Sequence, residues 1–542
     1  MRGLMQDWPL LCHTVLDHAA INHGERQIIS RLVEGPIHRE TYAEAHMRAR
    51  KVAQGLERRG VRLGDRIGTL GWNTHRHLET WYGAMGIGAI YHTINPRLFP
   101  EQIAYIVGHA EDSYIFADLT FVKLLEGLQA KAPSVKGFVL FTDRAHMPQT
   151  SLRNAIAFED LIADEDGDFQ WHSFDENTAA GLCYTSGTTG NPKGVLYSHR
   201  SNILHSLAVN SPEGIGLRSS DNVLAVVPMF HANAWALTFT APACGANLVL
   251  PGPKLDGESI YELLVSERVT LSAAVPTVWL MLLQHLEKTG AKLPDLKRVI
   301  IGGAALPRVV LETFEEKYGV EVCQGWGMTE MSPVGTIGSL KGRDLQKSRD
   351  ERTRLKLKQG RAIYTVEMKI TDEENKELAH DGVSFGHLKV RGPAVAKGYF
   401  KGDSGDILES DGYFDTGDIA TIDPDSYMQI TDRAKDVIKS GGEWISSIEI
   451  ENVATSHPDI AEAAVIGVRH PKWDERPLLI AIPKPGRSPT KESLLTFLTG
   501  KIAKWWMPDD VVFVSELPHT ATGKLQKRDL KDQYKDYKLP TA

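Results

Sequence analysis

A recurring unit constrains the fold of this chain more than any other feature: a short apolar run that stops at a glycine-rich or polar turn. Asn222-Val223-Leu224-Ala225-Val226-Val227-Pro228 leads into Met229-Phe230-His231. Arg298-Val299-Ile300-Ile301 leads into Gly302-Gly303-Ala304-Ala305. Val320-Glu321-Val322-Cys323-Gln324 leads into Gly325-Trp326-Gly327-Met328-Thr329-Glu330. Short apolar runs bounded by turn residues suit buried strands. Upstream, Asp65 to Leu70, Tyr114 to Ala117 and Gly137 to Phe141 read the same way, with helical stretches such as Ala43 to Leu56 between them and Gly60 as a stop. This alternation predicts parallel βαβ units. Ligands of open α/β sheets collect at the carboxyl ends of strands, so one shared crevice is expected there.

The densest turn is Thr185-Ser186-Gly187-Thr188-Thr189-Gly190-Asn191-Pro192-Lys193-Gly194. Ala180 to Tyr184 before it reads as a buried strand, and His199 to about Val209 after it can form a helix. A strand, a glycine-rich turn and a helix in that order present backbone N–H groups to a phosphate. Hydroxyls add donors and Lys193 adds a compact positive charge. Two residues separate Gly187 from Gly190, which is not the four-residue spacing of the common nucleotidase P-loop.

The chain has 542 residues, enough for several domains, and is 42% hydrophobic. A net charge of −8 spread along the chain argues against nucleic acid as a partner. Cys12, Cys183, Cys244 and Cys323 lie far apart without metal-ligand spacing and read as reduced thiols, as in the cytoplasm. Asp7, His13 and Asp17 break up the N-terminus, so no signal peptide is expected, and no apolar run is long enough for a membrane span. Residues 341–361, dense in both signs of charge, read as a solvated loop, and 363–430 as a small β-rich subdomain. Composition shifts near 433. The reading is a large α/β domain, 1–432, holding α/β subdomains plus the β-rich one, followed by a small mobile α/β domain, 433–542.

Residues 185–194 match the phosphate-loop signature of the adenylate-forming enzymes, the superfamily of acyl-CoA synthetases, firefly luciferase and peptide-synthetase adenylation domains. Four further motifs follow in that family's order. Trp326-Gly327-Met328-Thr329-Glu330 resembles its Tyr-Gly-x-Thr-Glu motif, with tryptophan in place of tyrosine. Asp411 to Asp418 resembles its Thr-Gly-Asp motif, Lys439-Ser440-Gly441-Gly442-Glu443 its glycine loop, and Pro518 to Lys524 its Thr-x-Thr-Gly-Lys motif.

The resemblance implies an acid–CoA ligase using ATP, CoA and Mg²⁺. It assigns ATP and AMP to Thr185, Ser186, Gly187, Thr188, Thr189, Gly190, Lys193, Gly302, Gly303, Ala304, Gln324, Gly325, Trp326, Gly327, Met328 and Thr329. Asp418 and Arg433 would bind ribose, while Thr185 and Glu330 would hold Mg²⁺. His231, Trp235, Gly302 and Gly327 would line the acyl pocket, where Trp235 favours a short or modest acid. Lys439, Gly441, Gly442, Glu443 and Trp444 would line the pantetheine tunnel. Lys524 would bridge the α-phosphate and the substrate carboxylate, and His231 would gate the acyl site. The small domain would rotate about Lys435, at a hinge of 433–436, between the two half-reactions. Homodimers are usual in the family.

Likeness around 228–235, 441–452 and 470–477 is to the branch of 3-methylmercaptopropionate-CoA ligases and medium-chain fatty-acid ligases, implying 3-(methylthio)propanoate or a short to medium fatty acid as substrate. A luciferase-like oxygenase, a peptide-synthetase adenylation module and a non-catalytic nucleotide-binding protein are the rival readings.

Overall fold

The computed structural model describes every residue except Arg2, 186–190, Gly442 and 520–524, together with the side chain of Glu443. Of the expected site residues, Ser186, Gly187, Thr188, Thr189, Gly190, Gly442 and Lys524 therefore lie outside the described residues.

Two large sheets dominate the first 362 residues. The nine-stranded sheet runs Arg361–Ala362, Val334–Ile337, Glu321–Gly327, Arg298–Gly302, Leu271–Ala274, Asn222–Ala225, Asn247–Leu250, Gln27–Arg31, Ile37–Thr41. The six strands from Glu321–Gly327 to Gln27–Arg31 are parallel, and the outer ones are antiparallel. The turns after Ala225, Ala274, Gly302 and Gly327 consequently open on the same edge, as the βαβ pattern predicts. The seven-stranded sheet runs Ile156–Ala157, Gly137–Leu140, Tyr114–Ala117, Arg66–Leu70, Ile90–Thr93, Ala179–Tyr184, Gly194–Ser198.

Helices fill the space between these sheets. Tyr42–Arg58 starts at a capping box in which the Thr41 hydroxyl accepts from the Glu44 N–H and the Glu44 carboxylate accepts from the Thr41 N–H. It packs tightly on His75–Gly86, because Gly83 offers no side chain: a Cβ there would stand 2.7 Å from Val52. Trp81, Tyr82, Tyr91, Leu237 and Phe239 are fully buried in the core shared by these helices and both sheets.

Two local expectations are corrected. The phosphate turn does not lead straight into a helix. Gly194–Ser198 forms a strand antiparallel to Ala179–Tyr184, and the helix His199–Val209 begins only after it. Val195, Leu196 and Tyr197 are β-branched, aliphatic and aromatic, and Val195 and Tyr197 are buried while Leu196 faces out, so they extend the sheet before the Ser198 cap can start a helix. Within the charged segment 341–361, Arg349–Lys356 is a helix and not a loop. Ser348 and Glu351 form a capping box, and the acidic first turn and basic last turn suit the helix dipole.

Beyond residue 366, Glu367–Thr371, Phe385–Arg391, Phe414–Ile422 and Met428–Arg433 form an antiparallel four-stranded sheet, the expected β-rich unit. A five-stranded sheet follows, from Ile438–Ser440 to Asp510–Phe513, covered by Ser447–Thr455, Lys491–Leu498 and Lys527–Gln533. All four cysteines are free, and none is exposed. Among the described residues, no helix is long and apolar enough to cross a membrane.

Candidate active site

The phosphate turn is the tip of a hairpin. Its neck is closed by the Thr185 N–H donating to the Lys193 carbonyl at 2.9 Å, and by the Lys193 N–H donating to Thr185 Oγ1 at 3.2 Å. The returning strand binds the hairpin to the second motif, because the Tyr197 hydroxyl donates to the Thr329 carbonyl at 2.7 Å. Lys193 Nζ lies 5.0 Å from the Tyr399 ring centroid, and the Tyr399 hydroxyl donates to Glu330 Oε1 at 2.7 Å. Lys193, Tyr399 and Glu330 thus form a continuous row from the hairpin to a buried carboxylate. Burial and the neighbouring Glu330 push the Tyr399 phenol far above its ordinary range, so it is a permanent donor. The sequence reading missed Tyr399. It sits in Lys397-Gly398-Tyr399-Phe400, a polar–aromatic turn with no periodicity to single it out. Tyr197 was also missed, although its inward place in a short alternating strand was a usable signal.

Trp326 and Asp418 come from different sheets. Trp326 ends the strand Glu321–Gly327, and its ring packs into the apolar core of the four-stranded sheet with Met331, Leu388 and Phe414. Gly335 leaves room for it, since a Cβ there would stand 2.8 Å from the indole. The Trp326 Nε1–H donates to Asp418 Oδ2 at 3.0 Å, while Arg433 Nε lies 2.8 Å from Asp418 Oδ1. Asp418 is only 2% exposed, whereas the Arg433 head is open to solvent. A carboxylate fixed on both oxygens in this way is held in one orientation.

His231 and Trp235 flank an unusual turn. Ala232, Asn233, Ala234, Trp235 and Ala236 all have φ between 44° and 66°. Each left-handed non-glycine residue costs about 1–2 kcal/mol, so such a run persists only where its surroundings hold it. Here the buried Tyr91 hydroxyl donates to Asn233 Oδ1 at 2.6 Å, and Asn233 Nδ2 donates to Asn202 Oδ1 at 3.1 Å. The result presses Trp235 onto Gly302 and Gly303. A Cβ on Gly302 would stand 2.7 Å from the Gly325 carbonyl oxygen and 2.9 Å from the Trp235 ring. Glycine at 302 is therefore a requirement of the crevice. Gly303 and Ala304 are exposed on its rim. Gln324 is buried, and its side-chain amide, oriented to satisfy both ends, donates to the Leu357 and Lys358 carbonyls and accepts from Gln359, so only its backbone faces the neighbouring strands of this edge.

The glycine hairpin packs on the four-stranded sheet. Ile438–Ser440 pairs with Glu443–Ile445, and Gly441, at φ +61°, sits where a Cβ would meet Trp473 at 2.9 Å. Lys439 Nζ reaches Glu373 at 2.7 Å, and the Trp444 ring lies 5.5 Å from that of Phe385, so the hairpin packs on the four-stranded sheet. Between the two sheets, the Ser447 N–H donates to Asp432 Oδ2 at 2.9 Å and Lys531 Nζ donates to the Lys435 carbonyl at 2.8 Å. Lys435 itself is exposed.

Residues 16–400 match the family described as AMP-binding enzyme, and residues 449–524 match its C-terminal domain. The chain is 50% identical over 536 residues to a 3-methylmercaptopropionyl-CoA ligase of Ruegeria lacuscaerulensis, covering 99% of each chain. It is 47% identical over 542 residues to a medium-chain-fatty-acid–CoA ligase of Ectopseudomonas oleovorans, covering 100% of this chain and 99% of the relative. Its fold superposes on the crystal structure of an anthranilate CoA ligase in complex with anthranoyl-AMP with a TM-score of 0.86, at 24% identity, over 98% of this chain and 99% of the other. The strand-edge crevice, the hairpin neck and the Trp326–Asp418–Arg433 cluster thus stand in a chain that belongs to the adenylate-forming AMP-binding enzymes, as an acid–CoA ligase.

Proposed function

We propose that this ligase activates 3-(methylthio)propanoate. The observation that carries the reading is the 50% identity, end to end, with a ligase named for that acid. The indole of Trp235 beside Gly302, 2.9 Å from where a Cβ would stand, supports a short or modest acid. A medium-chain fatty acid is the second reading, supported by the relative at 47% identity.

In the first half-reaction a substrate carboxylate oxygen attacks the α-phosphorus of ATP. The new O–P bond forms as the bond to diphosphate breaks, giving an acyl-adenylate. Two anions must meet, and one cation 4 Å from a phosphate oxygen contributes about 4 kcal/mol at an effective dielectric near 20. Lys193 and the turn 185–190 hold the β- and γ-phosphates, and Lys524 reaches the α-phosphate and the carboxylate. Asp418 and Arg433 take the ribose hydroxyls. Glu330 and Thr185 offer hard oxygen donors that fit Mg²⁺, with Glu330 oriented by Tyr399. Bound there, Mg²⁺ would neutralise phosphate charge. In the second half-reaction the CoA thiolate attacks the acyl carbonyl. The C–S bond forms and the C–O bond to AMP breaks.

Residues 433–542 act as a mobile domain on residues 1–432, pivoting at Lys435. In the placement seen here Lys439 and Trp444 pack on the four-stranded sheet, and the proposed rotation is hinge motion about this junction. The four free cysteines fit a reducing compartment such as the cytoplasm, and a homodimer is the expected assembly.

Diphosphate release across straight-chain and thioether acids, with and without CoA, tests the substrate. The expected result is a kcat/KM for 3-(methylthio)propanoate at least about tenfold above that for octanoate, whose chain is three atoms longer; even one methylene can supply about tenfold. A preference for octanoate would select the medium-chain reading.

A further inference from the structure

At the far edge of the nine-stranded sheet, His38 and Glu40 project from the strand Ile37–Thr41 toward His75, the first residue of the helix His75–Gly86. One donor atom from each of the three lies within 4.8 Å of the others. Six strand spacings of about 4.8 Å, roughly 29 Å, separate this edge from Glu321–Gly327, so it is no part of the nucleotide crevice.

His75 is 1% exposed, yet neither of its ring nitrogens has a hydrogen-bond partner. The buried carboxyls of Glu40 and Glu79 lie beside it and face each other within hydrogen-bonding reach. Buried polar atoms are rarely left without a bond, and the two nitrogens of His75 mark a missing partner. The charges around them point to its sign. Glu34, Glu40, Glu79 and Glu159 are matched only by Arg48 and Arg76: Arg48 lies 2.8 Å from Glu79 and 3.0 Å from Glu159, and Arg76 lies 2.8 Å from Glu34 and 2.9 Å from Glu159. Four carboxyl groups thus stand beside two guanidiniums, an excess of acidic groups that suits a cation.

We propose that His38, Glu40 and His75, with Glu79 beside them, form a structural site for a borderline divalent cation of the Zn²⁺ class, clipping the helix to the sheet edge. Two imidazoles and a carboxylate suit Zn²⁺ better than Mg²⁺ or Ca²⁺, which prefer oxygen donors. The His38 and His75 rings stack at 3.9 Å, so loading splays them to bring the donors to about 2.0–2.1 Å from the ion. His38 can make that movement, since a third of its side chain is exposed. The same exposure gives the ion its way in.

The test is a Co²⁺ titration of tag-free, chelator-stripped full-length enzyme with Mg²⁺ in excess, read by visible d–d absorption and by thermal unfolding with Zn²⁺. The expected result is one Co²⁺ per chain and a rise in melting temperature with Zn²⁺. His38→Ala and His75→Gln should each lower the affinity at least tenfold, the lower end of the roughly 10–100-fold that even outer-shell changes cost. Glu330→Gln, in the nucleotide site, should keep the signal. His38→Ala removes a part-exposed edge side chain and decides the matter if His75→Gln fails to fold. No Co²⁺ signal in the wild type, or equal affinity in His38→Ala, would overturn the proposal and leave a shared proton between Glu40 and Glu79 as what neutralises the cluster.

Discussion

Trp326 and Asp418, 92 positions apart in the chain, meet through a 3.0 Å hydrogen bond from the indole Nε1–H to a buried carboxylate oxygen. Asp418 is held on its other side by Arg433. The bond couples the nine-stranded sheet to the four-stranded sheet at the point proposed for the nucleoside. Trp326→Phe keeps a flat apolar ring but removes the donor. A hydrogen bond to a charged group contributes about 1.5–3 kcal/mol, so the KM for ATP should rise about 10- to 100-fold. Initial-rate kinetics at saturating acid and CoA measure this, and an unchanged KM would remove Asp418 from nucleotide binding.

Tyr399 serves two neighbours at once, presenting its ring to Lys193 and its hydroxyl to Glu330. Tyr399→Phe keeps the ring. It should leave the KM for ATP within about twofold while raising the Mg²⁺ concentration for half-maximal diphosphate release about tenfold or more, because the lost bond is of the roughly 1.5–3 kcal/mol kind. Tyr399→Leu should also raise the KM for ATP. If both variants behave alike, the ring has no part in holding Lys193.

Gly302 separates size from chemistry in the acyl crevice. Gly302→Ala places a Cβ 2.7 Å from the Gly325 carbonyl and 2.9 Å from Trp235, so the crevice narrows or Trp235 moves. The expected loss in kcat/KM is about 100-fold for every acid. Trp235→Ala should instead raise kcat/KM for octanoate relative to 3-(methylthio)propanoate by tenfold or more, in line with about 1–3 kcal/mol per methylene. Competition assays between the two acids give the ratio directly.

The buried ring of His205 accepts the Val334 N–H at 3.0 Å, and burial lowers its pKa to about 4. The folded state keeps this ring neutral, while the unfolded chain protonates it near pH 6.5. Its contribution to stability is therefore complete above pH 6.5 and is lost as pH falls toward 4. Between pH 7 and pH 5 the stability of the wild type relative to His205→Asn should shrink by about 2 kcal/mol. Urea unfolding at the two pH values checks this, and a pH-independent difference would show that the ring is not neutral by constraint.

The strands ending in glycine turns were legible because apolar runs and turn residues carry local signals: Arg298–Gly302 falls within a residue of expectation, while Glu321–Gly327 runs three residues past the expected Gln324, through Gly325-Trp326-Gly327, because these pair with Val334–Ile337. Trp326, Glu330, Asp418 and Lys193 were singled out by resemblance to the family's motifs, since their local residues alone also suit ordinary turns. Contacts between distant segments were not legible. Nothing local tells that Tyr399 will reach Glu330, that Gly335 makes room for Trp326, or that Asn233 will be gripped by Tyr91 in a left-handed turn. Around Arg349–Lys356 the dense mixed charge masks the helix, whose local signal is the capping box of Ser348 and Glu351. The strand Gly194–Ser198 was hidden because five residues between a turn and a helix carry too little periodicity to register.

In the proposed mechanism one chain performs adenylation and thioester formation from two placements of its C-terminal part, with Lys524 needed only in the first. The direct measurement is a pair of single-turnover assays on Lys524→Ala: diphosphate release from ATP and 3-(methylthio)propanoate, and CoA-thioester formation from the supplied acyl-adenylate. The expected outcome is a fall of about 10²-fold or more in the first, the scale of removing one electrostatic contact to a developing charge, with the second within a few-fold of wild type. Equal losses in both half-reactions would contradict the two-placement account.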